Sequence, residues 1–242
     1  MLMRAVTLLA GDTARSRCYM QALAGIGILP EQCVLLPSLD GKRPGQCAAG
    51  EQKSALGSWG AFFPGVPLEQ TCRDADVPVT FAPTGDINDA EVVSLLNGIK
   101  AETFLYSGFG GAILRGPVLA CGKRFLHVHG GWLPDYKGST TNHYSILEGN
   151  FCGASAIFLT DVIDSGRILH RARFPAPEDV TELDLVLDSI YRAEVLCAVA
   201  RHYAAYGEWP DSGVENVHSE PYYIMHPVLR HILMLGGRRG GG

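Results

Sequence analysis

The sequence has no two cysteines at C-x-x-C spacing. Its seven cysteines, Cys18, Cys33, Cys47, Cys72, Cys121, Cys152 and Cys197, are odd in number and scattered. That excludes a zinc knuckle or a thioredoxin-like motif and fits free thiols in a reducing compartment. No run approaches the roughly 20 apolar residues of a membrane span. Basic charge is not in excess either. The formal net charge is -5, which argues against a surface built to hold tRNA or DNA. The opening stretch from Met1 to Ala10 is apolar but short, and reads as a buried first strand rather than a signal peptide. A cytoplasmic protein without membrane or nucleic-acid partners is the expectation.

What is present is enough chain for a sizeable core, 242 residues, without disulfides or metals. Strand-like runs at 4–9, 33–36, 77–81, 103–106, 125–129, 154–160 and 167–174 alternate with helix-like stretches near 13–24, 88–98, 113–119, 142–148 and 181–206. This alternation predicts an α/β fold, a doubly wound and mainly parallel sheet. Residues 38–65 break the rhythm with glycine and proline. They read as a loop, either a lid over substrate or a variable insertion. The expected division is a catalytic domain over 1–206, an extension over 207–235 packing on it, and a disordered Gly/Arg tail over 236–242.

One block carries chemistry: Phe125-Leu126-His127-Val128-His129-Gly130-Gly131-Trp132-Leu133-Pro134-Asp135-Tyr136-Lys137-Gly138. Histidines at i and i+2 of a strand share one face. The strand stops at Gly130-Gly131, and ligands of open parallel sheets bind at the carboxyl ends of strands. A His-x-His pair with Asp164 has the residue types of a zinc site. Gly130-Gly131 supplies no third ligand nearby, so no metal is expected. By itself Asp164 reads as a turn carboxylate, since Asp-Ser-Gly is a good turn sequence. Trp132 and Tyr136 either line a pocket mouth or pack their loop.

The block resembles the signature of the formyltransferases that use 10-formyltetrahydrofolate. His129, Leu133-Pro134 and Gly138 match that family's histidine, Leu-Pro and glycine. A second element, Val162-Ile163-Asp164-Ser165-Gly166, matches the family's aspartate before a small residue and glycine. A third, Ser107-Gly108-Phe109 followed by Ile113-Leu114-Arg115-Gly116-Pro117, resembles its folate-binding loop. One position departs: the family's asparagine is His127 here.

The resemblance implies a Rossmann-like domain with His129, Asp164 and His127 as the catalytic set. It implies folate contacts from Phe109, Gly111, Ala112, Ile113, Leu114 and Asp161. It implies acceptor contacts from Trp132, Tyr136, Lys137, Ser139 and Thr140. Formyl transfer needs a proton taken from the amine, an oxyanion stabilised and a proton given to the leaving nitrogen. His129 suits the proton work, Asp164 its orientation, and a ring N–H of His127 would replace the asparagine amide at the oxyanion.

Among the family's branches, the sequence resembles most the one that formylates amino sugars carried on nucleotides, as in bacterial surface-glycan biosynthesis. The methionyl-tRNA branch carries a second, nucleic-acid-binding domain. The purine branch has a Gly/Ser-rich first loop where this chain reads Gly11-Asp12-Thr13-Ala14-Arg15-Ser16-Arg17. Arg15, Arg17, Lys42 and Arg43 are candidate phosphate or sugar contacts, or solvated surface. Another small amine (hydroxyornithine-type or glycinamide-type) and a non-catalytic folate- or sugar-binding homologue stay open. So does a homodimer.

Overall fold

The computed structural model describes residues 1–38, 55–217 and 219–236. Lys42, Arg43 and most of the 38–65 segment lie outside them. Seven strands form the main sheet: β1 (Leu2–Gly11), β2 (Leu29–Leu36), β5 (Val79–Phe81), β6 (Thr103–Ser107), β7 (Arg124–His129), β8 (Phe151–Phe158) and β9 (Ile168–Pro175). Their order is β5-β2-β1-β6-β7-β8-β9. The first five run parallel, and β8 and β9 are antiparallel additions beyond β7. The mainly parallel doubly wound sheet expected from the sequence is therefore the fold.

Strand alternation sorts the side chains between two layers. Leu8, Ala10, Cys33, Leu35, Leu105, Leu126 and Val128 face one core. That core is closed by α1 (Ala14–Gly25) and α6 (Asp188–Tyr206). Leu9, Val34, Leu36, Phe104, Tyr106 and Phe125 face the other, under α3 (Ala90–Gly98) and α4 (Gly116–Leu119). Phe125 fixes the side on which His127 and His129 emerge, because all three alternate with Leu126 and Val128.

Part of the irregular segment turns out to be ordered structure. β3 (Ala55–Gly57) and β4 (Gly60–Phe62) pair as an antiparallel hairpin. Phe62 and Trp59 drive into the core beside α1. The glycines that spoil the periodicity make room for the indole: a Cβ on Gly57 would sit 2.5 Å from its ring. Two helices have no counterpart in the sequence reading, α2 (Leu68–Asp74) and α7 (Pro227–Gly236). Gly236, placed with the tail, is the last residue of α7; residues 237–242 lie outside the described set. The residues after α6 run from the start of β6 to the turn that holds Asp164. Trp209 donates to Thr103 Oγ1 at 3.2 Å, and Asn216 Nδ2 donates to the backbone oxygens of Asp164 and Gly166 at 2.9 and 2.7 Å. No described helix is long and apolar enough to cross a membrane.

Candidate active site

β7 ends at His129, and the chain turns through Gly130-Gly131. Those glycines are required by close neighbours. A Cβ on Gly130 would strike the Asp188 carboxylate and the Arg192 guanidinium. One on Gly131 would lie 2.6 Å from both His129 Nε2 and Tyr136 O. The loop then passes through Tyr136 and Lys137 to α5 (Thr141–Gly149).

The structure brings together the two residues expected to form the catalytic pair. His129 Nδ1 is 3.4 Å from Asp164 Oδ2, and the same carboxylate oxygen accepts the Gly138 N–H at 2.9 Å. His129 Nε2 donates to Tyr136 O at 2.8 Å. A carbonyl only accepts, so the single proton of a neutral His129 sits on Nε2 and its lone pair on Nδ1 faces Asp164. Burial lowers the His129 pKa from its ordinary value, and Asp164 pulls against that shift. Asp164 stands in the left-handed region, φ 49°, which Asp tolerates better than most residues. Gly166, two residues on, packs its α-carbon against Phe158 O so closely that no side chain fits.

His127 emerges from β7 beside Tyr106. Its Nδ1 donates to Tyr106 O at 3.3 Å. Burial, then the charges of Arg15 and Arg192, hold its pKa well below the ordinary value. A neutral ring with its one proton committed to a carbonyl has no N–H left for an oxyanion. In that tautomer Nε2 is an acceptor; the donor role inferred from the asparagine position belongs to the other tautomer.

Two cavities flank the pair. One, of about 140 Å³, is lined by Tyr106, Ala112, Ile113, Leu114, His127 and the stretch from Leu159 to Asp164. Of the expected folate contacts, Ala112, Ile113, Leu114 and Asp161 line it. Phe109 packs its ring over Gly11 instead, and Gly111 is the turn residue at φ 79°. The other cavity, of about 330 Å³, is lined by His129, Gly130, the run from Gly138 to His143, and Leu183, Asp184, Asp188, Ser189 and Arg192.

Of the expected acceptor contacts, Ser139 and Thr140 line this second cavity, and Trp132, Tyr136 and Lys137 do not. Trp132 lies under the guanidinium groups of Arg171 and Arg173. The Tyr136 ring stacks on Tyr222, and its hydroxyl donates to Glu148 at 2.9 Å. Lys137 is buried and donates to Val217 O at 2.6 Å and Ser165 Oγ at 3.2 Å. These three hold the loop in place.

The sequence reading missed the far wall. Arg192 Nε pairs with Asp188 Oδ2 at 2.6 Å, and its Nη1 donates to Val128 O at 2.9 Å. Asn142 joins Asp188 to the Gly153 N–H. Arg15 donates to Ser107 Oγ and Gly108 O beside His127. Arg17 is spent on Asp12, 2.5 Å away, whose carboxylate also takes the Leu68 N–H. No cluster of three or more His, Cys, Asp or Glu placed to hold a metal occurs among the described residues.

Comparison with known proteins places this arrangement. A methionyl-tRNA formyltransferase from Synechococcus sp. (strain JA-2-3B'a(2-13)) is 28% identical over 124 residues, 49% of this chain and 37% of the relative. The chain thus spans little more than a third of the length of such relatives. Among solved structures, phosphoribosylglycinamide formyltransferase from Bacillus halodurans superposes with a TM-score of 0.56 at 12% identity, covering 84% of this chain and 97% of that one. A sugar 3N-formyltransferase solved with dTDP and 5-N-formyl-THF superposes with a TM-score of 0.54 at 16% identity, covering 90% and 68%. At these identities the two structures share the fold. The formyl transferase family profile matches residues 66–195, which is more than half of the chain and contains His127, His129 and Asp164; the chain belongs to the formyl transferase family.

Proposed function

We propose that this chain transfers a formyl group from 10-formyltetrahydrofolate to the amine of a nucleotide-linked amino sugar, as in bacterial surface-glycan biosynthesis. One observation carries the reading: Asp164 lines one cavity, His129 lines the other, and the two side chains are 3.4 Å apart. The chain is read as a catalytic domain over 1–206 with an extension over 207–235 packing on it.

The smaller cavity fits a folate ring. Ile113, Val162 and Ile163, each about half exposed, give it an apolar rim, and backbone groups of 159–164 supply polar points, the usual make-up of a site for a flat heteroaromatic ligand. The bound donor supplies the activated formyl group; the chain does the rest. Nδ1 of neutral His129 takes the proton of the incoming amine. Asp164 then steadies the imidazolium, worth most where burial has weakened water's screening. Asp164 also lines the folate side, so the proton taken from the amine passes from the His129–Asp164 pair to the leaving nitrogen and the step balances. His127, neutral and accepting at Nε2, holds a donor group of the folate ring.

A sugar acceptor is supported by the second cavity, whose lining includes Ser139, Thr140, Thr141 and Asn142, and by the sugar-active neighbour described above. A methionyl-tRNA acceptor is the second reading, favoured by the sequence relatives alone. Titration with 5-formyltetrahydrofolate tests the base of both readings. Saturable binding that is weakened by Leu114→Arg is expected; a wild-type protein that binds no reduced folate contradicts it.

A further inference from the structure

The cavity on the His129 side contains a second histidine that the reaction above leaves unused. His143, in the first turn of α5, is 3% exposed and lines that cavity. Its Nε2 is buried without a hydrogen-bond partner among the described residues. Asp184 Oδ2 faces it from 3.5 Å, longer than a normal hydrogen bond, and also takes the guanidinium of Arg230 from α7. Buried polar side-chain atoms are nearly always paired. An unspent ring nitrogen in a cavity wall therefore marks a place where a ligand supplies the partner.

The lining also states which chemistry fits. Two carboxylates face the cavity, and each carries an arginine: Asp188 with Arg192, Asp184 with Arg230. A phosphate would meet two carboxylates and cations that are already engaged. A hydroxyl both donates and accepts, so it satisfies carboxylate, threonine hydroxyl and either tautomer of an imidazole.

We infer that His143 is a specificity-determining residue, whose Nε2 hydrogen-bonds a hydroxyl of a polyhydroxylated amine, and that any phosphate of the acceptor lies outside this cavity. The inference rests on the formyl-transfer reading. Asp184, paired with Arg230, flanks the same nitrogen and is the positioning residue.

The test is steady-state formylation of UDP- and dTDP-linked amino sugars by wild type, His143→Ala and His143→Gln, beside the Kd of each for 5-formyltetrahydrofolate. His143→Ala should raise the acceptor KM about tenfold, the size of one lost hydrogen bond. Its kcat and folate Kd should stay within about twofold, and His143→Gln should recover most of the loss. An unchanged KM in His143→Ala overturns the inference. So does a wild-type enzyme that binds folate yet formylates only acceptors without a sugar hydroxyl near the amine. Absence of folate binding in the wild type would instead remove the formyl-transfer reading beneath it.

Discussion

Asp164 Oδ2 accepts the Gly138 N–H at 2.9 Å and faces His129 Nδ1 at 3.4 Å. The second contact leaves the carboxylate poised over a lone pair, so the pair gains a proton between them when His129 acts as a base. Asp164→Asn should keep the fold, because Asn tolerates the left-handed backbone there and the bond from Asn216 goes to the main chain. Its kcat should drop by about 10²–10⁴, the usual weight of positioned acid–base groups. Folate affinity should hold within a few fold. Wild-type-like turnover would return Asp164 to a turn residue.

The pH profile follows from the sign of the His129 shift. The base must start neutral, and burial lowers its pKa below the ordinary 6.5. As pH falls, kcat/KM should therefore stay level through 6.5 and decline only at more acid values. Asp164 raises that pKa, so Asp164→Asn should move the residual acid limb further down. An acid limb centred above 6.5 in the wild type contradicts this.

His127 makes a spectroscopic prediction. With Nδ1–H held by Tyr106 O, ¹⁵N NMR of labelled histidine should show a neutral Nδ1–H tautomer that persists at pH 6. His127→Asn puts an amide donor at the position where the family has asparagine. It should keep measurable turnover, whereas His129→Asn should not, since an amide cannot cycle a proton near neutrality. An Nε2–H tautomer would restore the oxyanion-donor role read from the sequence.

Gly166 ties the catalytic turn to β8. A methyl group there runs into Phe158 O, so Gly166→Ala should cost about 1–3 kcal/mol, or roughly 2–4 °C of Tm per kcal/mol in a chain of this size. Activity should fall with it, because Asp164 sits in the same turn. Differential scanning fluorimetry beside turnover checks both; an unshifted Tm would mean the turn relaxes freely.

Much of the site's near side was legible, and its far side was not. His127 and His129 announce themselves because alternation puts them on one face and two glycines end the strand. Asp164 alone is ambiguous with any Asp-Ser-Gly turn; only its company with the other motifs singles it out. Asp188 and Arg192, at i and i+4, look like an ordinary surface pair. Which way they face depends on helix register, and the π-helical turn at Leu183–Leu187 shifts that register by its i→i+5 bonding. The surroundings of Trp132, Tyr136 and Lys137 were not legible, because loop side chains take their direction from partners distant in sequence, here Arg171, Tyr222 and Val217. The hairpin around Trp59 was hidden by the glycines that admit its ring.

The most direct test of the account is transfer itself. The purified protein is incubated with 10-formyltetrahydrofolate and a panel holding UDP- and dTDP-linked amino sugars, glycinamide ribonucleotide, hydroxyornithine and methionyl-tRNA, and products are read by mass spectrometry. The account predicts that an amino-sugar nucleotide gains the mass of one formyl group, with matching release of tetrahydrofolate, and that Asp164→Asn slows the gain by about 10²–10⁴. Formylation of methionyl-tRNA or glycinamide ribonucleotide with every sugar unchanged, or no formyl transfer to any acceptor, would contradict it.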